Sequence, residues 1–271
     1  MRYNSIVLMR RLRRAKRQPM LRIGDLADKS ILVTGASSGI GAAISRAFAE
    51  QGARIAVHGS SNTARAEQVA QDIRAAGGFA QLVQGDLTVA GEAKRIVEDS
   101  ARRLDNLDVL INNAGSLVSR RPFLDTDDEW MDSVFDLNAR AVVQTCQAAI
   151  PHLERRGGGS IINVGSIAGI DGGGSGAGIY GAAKAFVHNL TRHLARDFAA
   201  RNIRVNTVSP ASSIRRFIMR RRPSAWRQCA KRCVWEELER PAISWAPFCF
   251  SPQRSLAVTS PVRIFTSTAD R

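Results

Sequence analysis

No stretch of the 271 residues is apolar for long enough to span a bilayer as a helix, and no framework of paired cysteines runs through the chain. The first absence excludes a helical membrane protein. The second, with no secretory signal evident, makes the reducing cytoplasm the expected compartment. The four cysteines are Cys146, Cys229, Cys233 and Cys249. The last three match no familiar zinc spacing and have no histidine near them, so no metal is expected. Cys146 sits in an apolar helical pattern and is read as a small core residue. No internal repeat is visible, and the glycine runs 157–159 and 172–174 read as loops rather than domain linkers.

Charge is abundant, but it is not evenly spread. The net charge of +15 and the isoelectric point near 11.1 would ordinarily suggest a polyanionic partner. Residues 1–24 carry eight Lys/Arg and no acid, and residues 211–271 carry twelve Lys/Arg against four Asp/Glu. The 186 residues between hold nineteen basic and twenty acidic side chains, a net charge of −1. The basicity therefore belongs to the ends, and no nucleic-acid footprint is expected on the middle. Residues 1–24 read as a disordered basic arm, with Met20 an alternative start just ahead of the first structured segment. Residues 25–212 read as one domain, and 213–271 as an atypical basic tail.

From Lys29 onward, short apolar runs alternate with longer amphipathic segments. The spacing predicts strands at 31–34, 54–58, 80–84, 109–112, 160–165 and 203–208. Helices are predicted near 40–51, 63–76, 89–104, 127–155 and 178–200. Strict strand–helix alternation predicts a parallel sheet with helices on both faces, connected by right-handed crossovers.

The first strand runs into Thr34-Gly-Ala-Ser-Ser-Gly-Ile-Gly41 and then into an Ala-rich helix. Gly35 permits a tight turn, Gly39 lets the backbone approach a pyrophosphate, and Gly41 lets the helix pack closely with its N-terminus aimed at phosphate. No Gly-Lys-Ser/Thr follows, which excludes a P-loop. Far downstream, Tyr180 and Lys184 stand four residues apart, with Ser166 at the end of the fifth apolar run. On a helix this spacing sets phenol beside ammonium, where the cation would lower the tyrosine pKa and make it a proton donor and acceptor near neutrality. An ordinary exposed Tyr/Lys pair has the same spacing.

Gly35, Gly39 and Gly41, Asp86 after the third strand, Asn112-Asn-Ala-Gly115 after the fourth, Asn138, Ser166, and Tyr180 with Lys184 occur in one order. Over about residues 28–212 that order and spacing resemble the short-chain dehydrogenase/reductase family. The resemblance implies a single-domain, doubly wound parallel-sheet Rossmann fold of the α/β class. It implies an oxidoreductase interconverting a carbonyl and a secondary alcohol, with a small-molecule substrate such as a 3-oxoacyl thioester, a sugar or a steroid-type alcohol.

Tyr180 would be the proton donor, Ser166 would orient the substrate oxygen, and Lys184 would lower the tyrosine pKa and grip the nicotinamide ribose. Asn138 resembles the residue that holds a water linking the lysine to solvent, although a mid-helix Asn can also back-bond or face solvent. The resemblance implies a nucleotide held by Gly35, Ser37, Ser38, Gly39, Ile40 and Gly41 of the turn, and by Ser60, Asp86 and Leu87. Asn112, Ala114 and Gly115 would complete the nucleotide site with Tyr180 and Lys184. An Asp or Glu normally ends the second strand of an NAD enzyme, and here that position is Gly59, followed by Ser60, Ser61 and Asn62. NADP is therefore expected over NAD, because the carboxylate that would repel a 2′-phosphate is missing. His58 reads as a strand-end residue rather than a catalytic one.

After Pro210 the resemblance stops. An Arg-rich, then Trp/Cys/Pro-rich tail replaces the family's cofactor-contacting turn, substrate lid and closing strand. Shifting the reading frame near Ser213 allows Ile-Asp-Thr-Pro-Phe-His at 212–218, Gly-Asp-Ile-Val-Gly-Ala-Phe-Leu-Phe-Leu-Ala at 242–252, similar to the family's penultimate helix, and Val-Asn-Gly-Gly near the end. These segments follow the family order, so a frameshift from about Ser213 is the expectation. It would leave a sheet edge uncovered and the pocket open. A family member that is inactive, or at most binds nucleotide, is then the alternative function. A homo-oligomer is expected of the family, but through carboxyl-terminal elements that this tail does not resemble.

Overall fold

The computed structural model describes residues 24–60 and 63–210, together with the backbone of the strand Val262–Phe265. Each predicted strand is present: β1 Ser30–Val33, β2 Arg54–Gly59, β3 Phe79–Gln84, β4 Val109–Asn112, β5 Gly159–Val164 and β6 Ile203–Pro210. All six lie parallel in one sheet of order β3-β2-β1-β4-β5-β6. The helices between them are α1 Gly39–Ala49, α2 Thr63–Ala75, α3 Glu92–Arg103, α4 Asp128–Phe135, α5 Ala141–Arg155, α6 Ala168–Asp171 and α7 Gly178–Asp197.

The strands read as continuous apolar runs because both faces of the sheet are covered. In β1, Ile31 and Val33 point into one core with α1 and α2, while Leu32 between them points into the other with α3 and α5. The same alternation carries Ile55 and Val57 to the first core and Ala56 to the second. Sheet order reverses at β1, which has β2 on one side and β4 on the other. The loops leaving β1 and β4 therefore diverge to opposite faces, and a crevice opens at their carboxyl ends.

Helix boundaries differ from the periodic pattern where a local rule intervenes. The helix expected from residue 89 begins at Glu92, because Gly91 takes a left-handed conformation (φ 83°) that ends the preceding turn. The helix expected over 127–155 starts where the Asp127 carboxylate accepts from the Trp130 N–H at 2.7 Å. It is then interrupted by a π turn at Asp136–Arg140 between α4 and α5. The last helix stops at Asp197, followed by a 3-10 turn and Asn202 in the left-handed region (φ 57°).

Most of the tail in which a frameshift is expected lies outside the described residues, as does the amino-terminal arm. The strand β7, Val262–Phe265, is the exception. It pairs antiparallel with β6, from Thr207↔Phe265 to Pro210↔Val262. The edge expected to be uncovered is thus covered along that stretch by backbone pairing. Such pairing depends little on which side chains the strand carries. Among the described residues no helix is long and apolar enough to cross a membrane, and no cluster of potential metal ligands occurs.

Candidate active site at the carboxyl edge of the sheet

The glycine turn between β1 and α1 is held from three sides. Gly35 (φ 61°) and Gly39 (φ 57°) both occupy the left-handed region. A Cβ on Gly35 would stand 2.8 Å from the Ala114 backbone, and one on Gly41 would stand 2.4 Å from Asn113 Nδ2. These contacts are too short for any side chain, so the turn and the β4 exit require glycine to pack together. Asn113 Nδ2 donates to the carbonyls of Thr34 (2.9 Å) and Gly35 (3.0 Å). Thr34 Oγ1 accepts from the Asn113 and Ala114 N–H groups, both at 3.0 Å. Ser38 caps α1 in extended geometry without a side-chain hydrogen bond, and a Cβ on Gly39 would meet nothing within 4 Å. The first turn of α1 thus faces open space with its N–H groups unused by a side-chain cap, an arrangement that fits an anion such as a pyrophosphate.

Along the crevice, Ser60 is exposed at the end of β2 and Leu87 is buried beyond β3. Asp86 accepts from Thr88 N–H (2.9 Å) and Thr88 Oγ1 (2.7 Å), which fixes its carboxylate in a local turn. Asn112 turns its side chain into the sheet. Its Nδ2 donates to Asn163 Oδ1 (3.0 Å) and its Oδ1 accepts from Thr145 Oγ1 (2.7 Å), which joins β4 to β5 and α5. Cys146 touches the same network, and burial pushes its thiol up to about 12, consistent with a core residue.

On the far side of the crevice, Ser166 follows β5, and Tyr180 and Lys184 lie one turn apart on α7. Tyr180 packs with Trp130, Val134 and Ala183, so α4 sets the depth of its ring. Ser166 hydrogen-bonds the phenol and Ser166 Oγ accepts from Ala168 N–H at 3.1 Å. Lys184 is 3% exposed and donates to the Val164 carbonyl at 2.9 Å, with its Nζ 5.8 Å from the Tyr180 ring centroid.

Burial lowers the Lys184 pKa to about 8, so the ammonium is still charged at neutrality. The tyrosine does not follow the sequence expectation. Burial raises the Tyr180 pKa, opposed only by the Ser166 hydrogen bond. The lysine donates to a backbone carbonyl instead, and desolvation of the phenolate sets the direction.

Asn138 lies in the π turn and is fully buried. Its Nδ2 donates to Val134 O (2.9 Å) and Ser116 O (2.8 Å), and its Oδ1 accepts from Ser116 N–H (3.2 Å). It therefore both back-bonds within its helix and clamps the β4 exit. A Cβ on Gly115 would stand 2.8 Å from Asn138 Oδ1 and 3.0 Å from Lys184 Nζ, so only glycine leaves room for both groups at this point. π turns frequently mark such sites, where one extra residue re-aims a side chain.

The structure thus brings the glycine turn, Asp86, Ala114 and Gly115 to one crevice with Ser166, Tyr180 and Lys184. Sequence reasoning left Thr34 and Asn113 without a role, although Asn113 stands inside the Asn112–Gly115 motif. It also gave His58 no role at the turn.

The sequence profile of the short chain dehydrogenase family matches residues 29–218. A 3-oxoacyl-(acyl-carrier-protein) reductase of Staphylococcus aureus is 38% identical over 182 residues, 67% of this chain and 73% of that protein. A probable galactose dehydrogenase of Rhizobium meliloti is 35% identical over 230 residues, 80% of this chain and 86% of that one. Among solved structures, the NADH-dependent reductase A1-R′ in complex with NAD superimposes with a TM-score of 0.67 at 38% identity, covering 70% of this chain and 80% of that one. A short chain dehydrogenase from Burkholderia cenocepacia in complex with NADP gives 0.65 at 36% identity, covering 68% and 74%.

Proposed function

The chain belongs to the short-chain dehydrogenase family of nicotinamide-dependent oxidoreductases, and on that footing we propose that it reduces a carbonyl to a secondary alcohol with NADP(H). The carrying observation is the pairing of a half-buried, protonated Tyr180 with Ser166 on one side and the buried, charged Lys184 on the other. A phenol whose pKa is raised holds its proton at neutral pH, which suits donation to a substrate oxygen better than abstraction.

The nucleotide fits the crevice by the open first turn of α1 and the close glycine contacts behind it. Its pyrophosphate would lie on Ser37, Ser38, Gly39, Ile40 and Gly41, its adenosine half beside Ser60, Asp86 and Leu87, and its nicotinamide half near Ala114, Gly115 and Lys184. A bound nicotinamide would supply the hydride. Ser166 Oγ–H hydrogen-bonds the carbonyl oxygen and polarises it, Tyr180 O–H donates its proton to that oxygen, and the Lys184 ammonium stabilises the phenolate left behind. Asn138 fixes the β4 exit through Ser116. NADP is favoured because β2 ends in Gly59, where a carboxylate would otherwise select the ribose hydroxyl. Relatives that bind NAD and that bind NADP both share this architecture.

Fluorescence titration with NADPH and NADH, followed by a panel of ketones, 3-oxoacyl thioesters and keto sugars, tests this reading. NADPH is expected to bind more tightly, and Tyr180→Phe to bind nucleotide while losing turnover. Equal turnover in wild type and Tyr180→Phe would sink the mechanism. A second reading, an impaired family member, draws on one observation. The profile match ends at residue 218 while the chain runs to 271. Under it, NADPH binds without turnover and restoring the reading frame near codon 213 recovers activity.

A further inference from the structure

His58 is the penultimate residue of β2 and is 1% exposed, yet both of its ring nitrogens are engaged by backbone. The Gly35 N–H donates to Nδ1 at 3.1 Å, and Nε2 lies 3.0 Å from the Gly85 carbonyl oxygen. A carbonyl can only accept, and Nδ1 is already accepting, so the ring must be the neutral Nε2–H tautomer. The His58 carbonyl adds a third link, accepting from Ala36 N–H at 2.7 Å. One residue thus joins the first residue of the glycine turn to the residue immediately before Asp86. These are the two backbone segments on which the proposed nucleotide site rests.

We propose that His58 is the positioning residue of the nucleotide site, a neutral imidazole strut that fixes the Gly35 turn to the Gly85–Asp86 loop and releases it on protonation. This rests on the nucleotide-binding reading given above. A proton on Nδ1 would set N–H against the Gly35 N–H, replacing an attraction by two opposed donors in a buried place.

The charged groups facing the ring come from one side. Asp86 follows β3, and Glu92 and Arg95 belong to α3, where Arg95 and Glu92 pair with each other at 2.7 Å. That pair packs on Gly85, where a Cβ would stand 2.5 Å from Glu92 Oε2 and 2.6 Å from Arg95 Nη2, so the loop on this side is tightly held. The glycine turn presents backbone to the ring. Burial outweighs the hydrogen bond to the Gly85 carbonyl and the nearby carboxylates, and lowers the imidazole pKa below its ordinary 6.5. The strut is therefore intact at neutrality and is lost only as the pH falls through a pKa lying below 6.5.

The test is nucleotide affinity against pH, from pH 8 down to the lowest pH at which circular dichroism still shows the native fold, with NADPH and NADH as probes, for wild type, His58→Asn and His58→Leu. Each variant is compared with wild type on the same ligand, which cancels the titration of the NADPH 2′-phosphate itself. Wild-type affinity is expected to fall at acid pH with a component that His58→Asn lacks. His58→Asn, whose carboxamide can still accept from Gly35, should weaken binding by a factor of a few at every pH. His58→Leu leaves the Gly35 N–H unpaired and should lose roughly tenfold or more even at pH 8. Circular dichroism identifies a leucine variant that fails to fold, in which case wild type against His58→Asn decides. Superimposable pH profiles for those two would overturn the inference and leave the nucleotide reading intact. No nucleotide binding by wild type at any pH would overturn both.

Discussion

The two walls of the crevice are built on opposite terms. On the β1–β2 wall, the turn from Thr34 to Gly41 is satisfied at many points, by Thr34, Asn113 and His58, and Gly35 and Gly41 sit where no side chain would fit. On the α7 wall, a buried ammonium has one carbonyl partner, a phenol is held above its ordinary pKa, and a helix is opened into a π turn around Asn138. The first wall holds a shape that any bound anion can use. The second keeps charge where it is unfavourable, and this is where proton transfer is proposed to occur.

Variants on each wall test that contrast. Tyr180→Phe should have the largest effect, lowering turnover by roughly 10²–10⁴-fold while nucleotide affinity changes little, as expected for a general acid. Parallel turnover and fluorescence measurements check this, and a loss confined to binding would contradict it. Gly41→Ala acts on the other wall. Its Cβ would meet Asn113 Nδ2 at 2.4 Å and the Gly35 carbonyl at 2.5 Å. Urea unfolding should show a loss of about 1–3 kcal/mol, as for overpacking elsewhere, accompanied by weaker nucleotide binding.

Ser60→Asp should cost NADPH roughly tenfold in affinity relative to NADH, by placing a carboxylate beside the proposed 2′-phosphate position. An unchanged ratio would place the ribose elsewhere. The smallest effect is one of shape. Lys184 has a pKa near 8, so kcat/KM for carbonyl reduction should fall on the alkaline side as Lys184 loses its proton. A rate that stays flat to pH 9.5 would show that the ammonium is dispensable.

Much of this was legible in the sequence, and the parts that were not have physical causes. The strands were visible because a sheet buried on both faces demands continuous apolar runs, and β4 agrees residue for residue. Helix starts at Glu92 and Asp128 depended on Gly91 and Asp127, local signals that a periodicity count smooths over. The π turn was hidden because Asn138 is unremarkable in a pattern, and only its bonds to Val134 and to Ser116 open the helix.

The Tyr180 pKa moves opposite to the direction its spacing from Lys184 implies. Spacing placed the cation nearby but carried no information on burial, which dominates. His58 looked like a strand end, and it is one. Its two backbone partners lie 23 and 27 residues away, beyond the reach of any local motif. The covered edge at β6 was missed for a similar reason, since backbone pairing with Val262–Phe265 leaves little trace in side-chain pattern.

The contrast between the walls stands or falls on Lys184→Met. The fall of the lysine pKa from 10.5 to about 8 corresponds to about 3 kcal/mol of unfavourable burial at neutral pH, at about 1.4 kcal/mol per tenfold change in proton affinity. Leaving the Val164 carbonyl without its donor returns about 1 kcal/mol of that. Because the folded-state pKa lies below the unfolded one, the lysine's cost is full below about pH 8 and fades as the pH rises toward 10.5. Urea unfolding at pH 7 should therefore find Lys184→Met more stable than wild type by about 1–2 kcal/mol, although it is inactive, with the difference shrinking toward pH 10. A variant less stable than wild type at pH 7 would contradict the account, because Lys184 would then be holding the fold together.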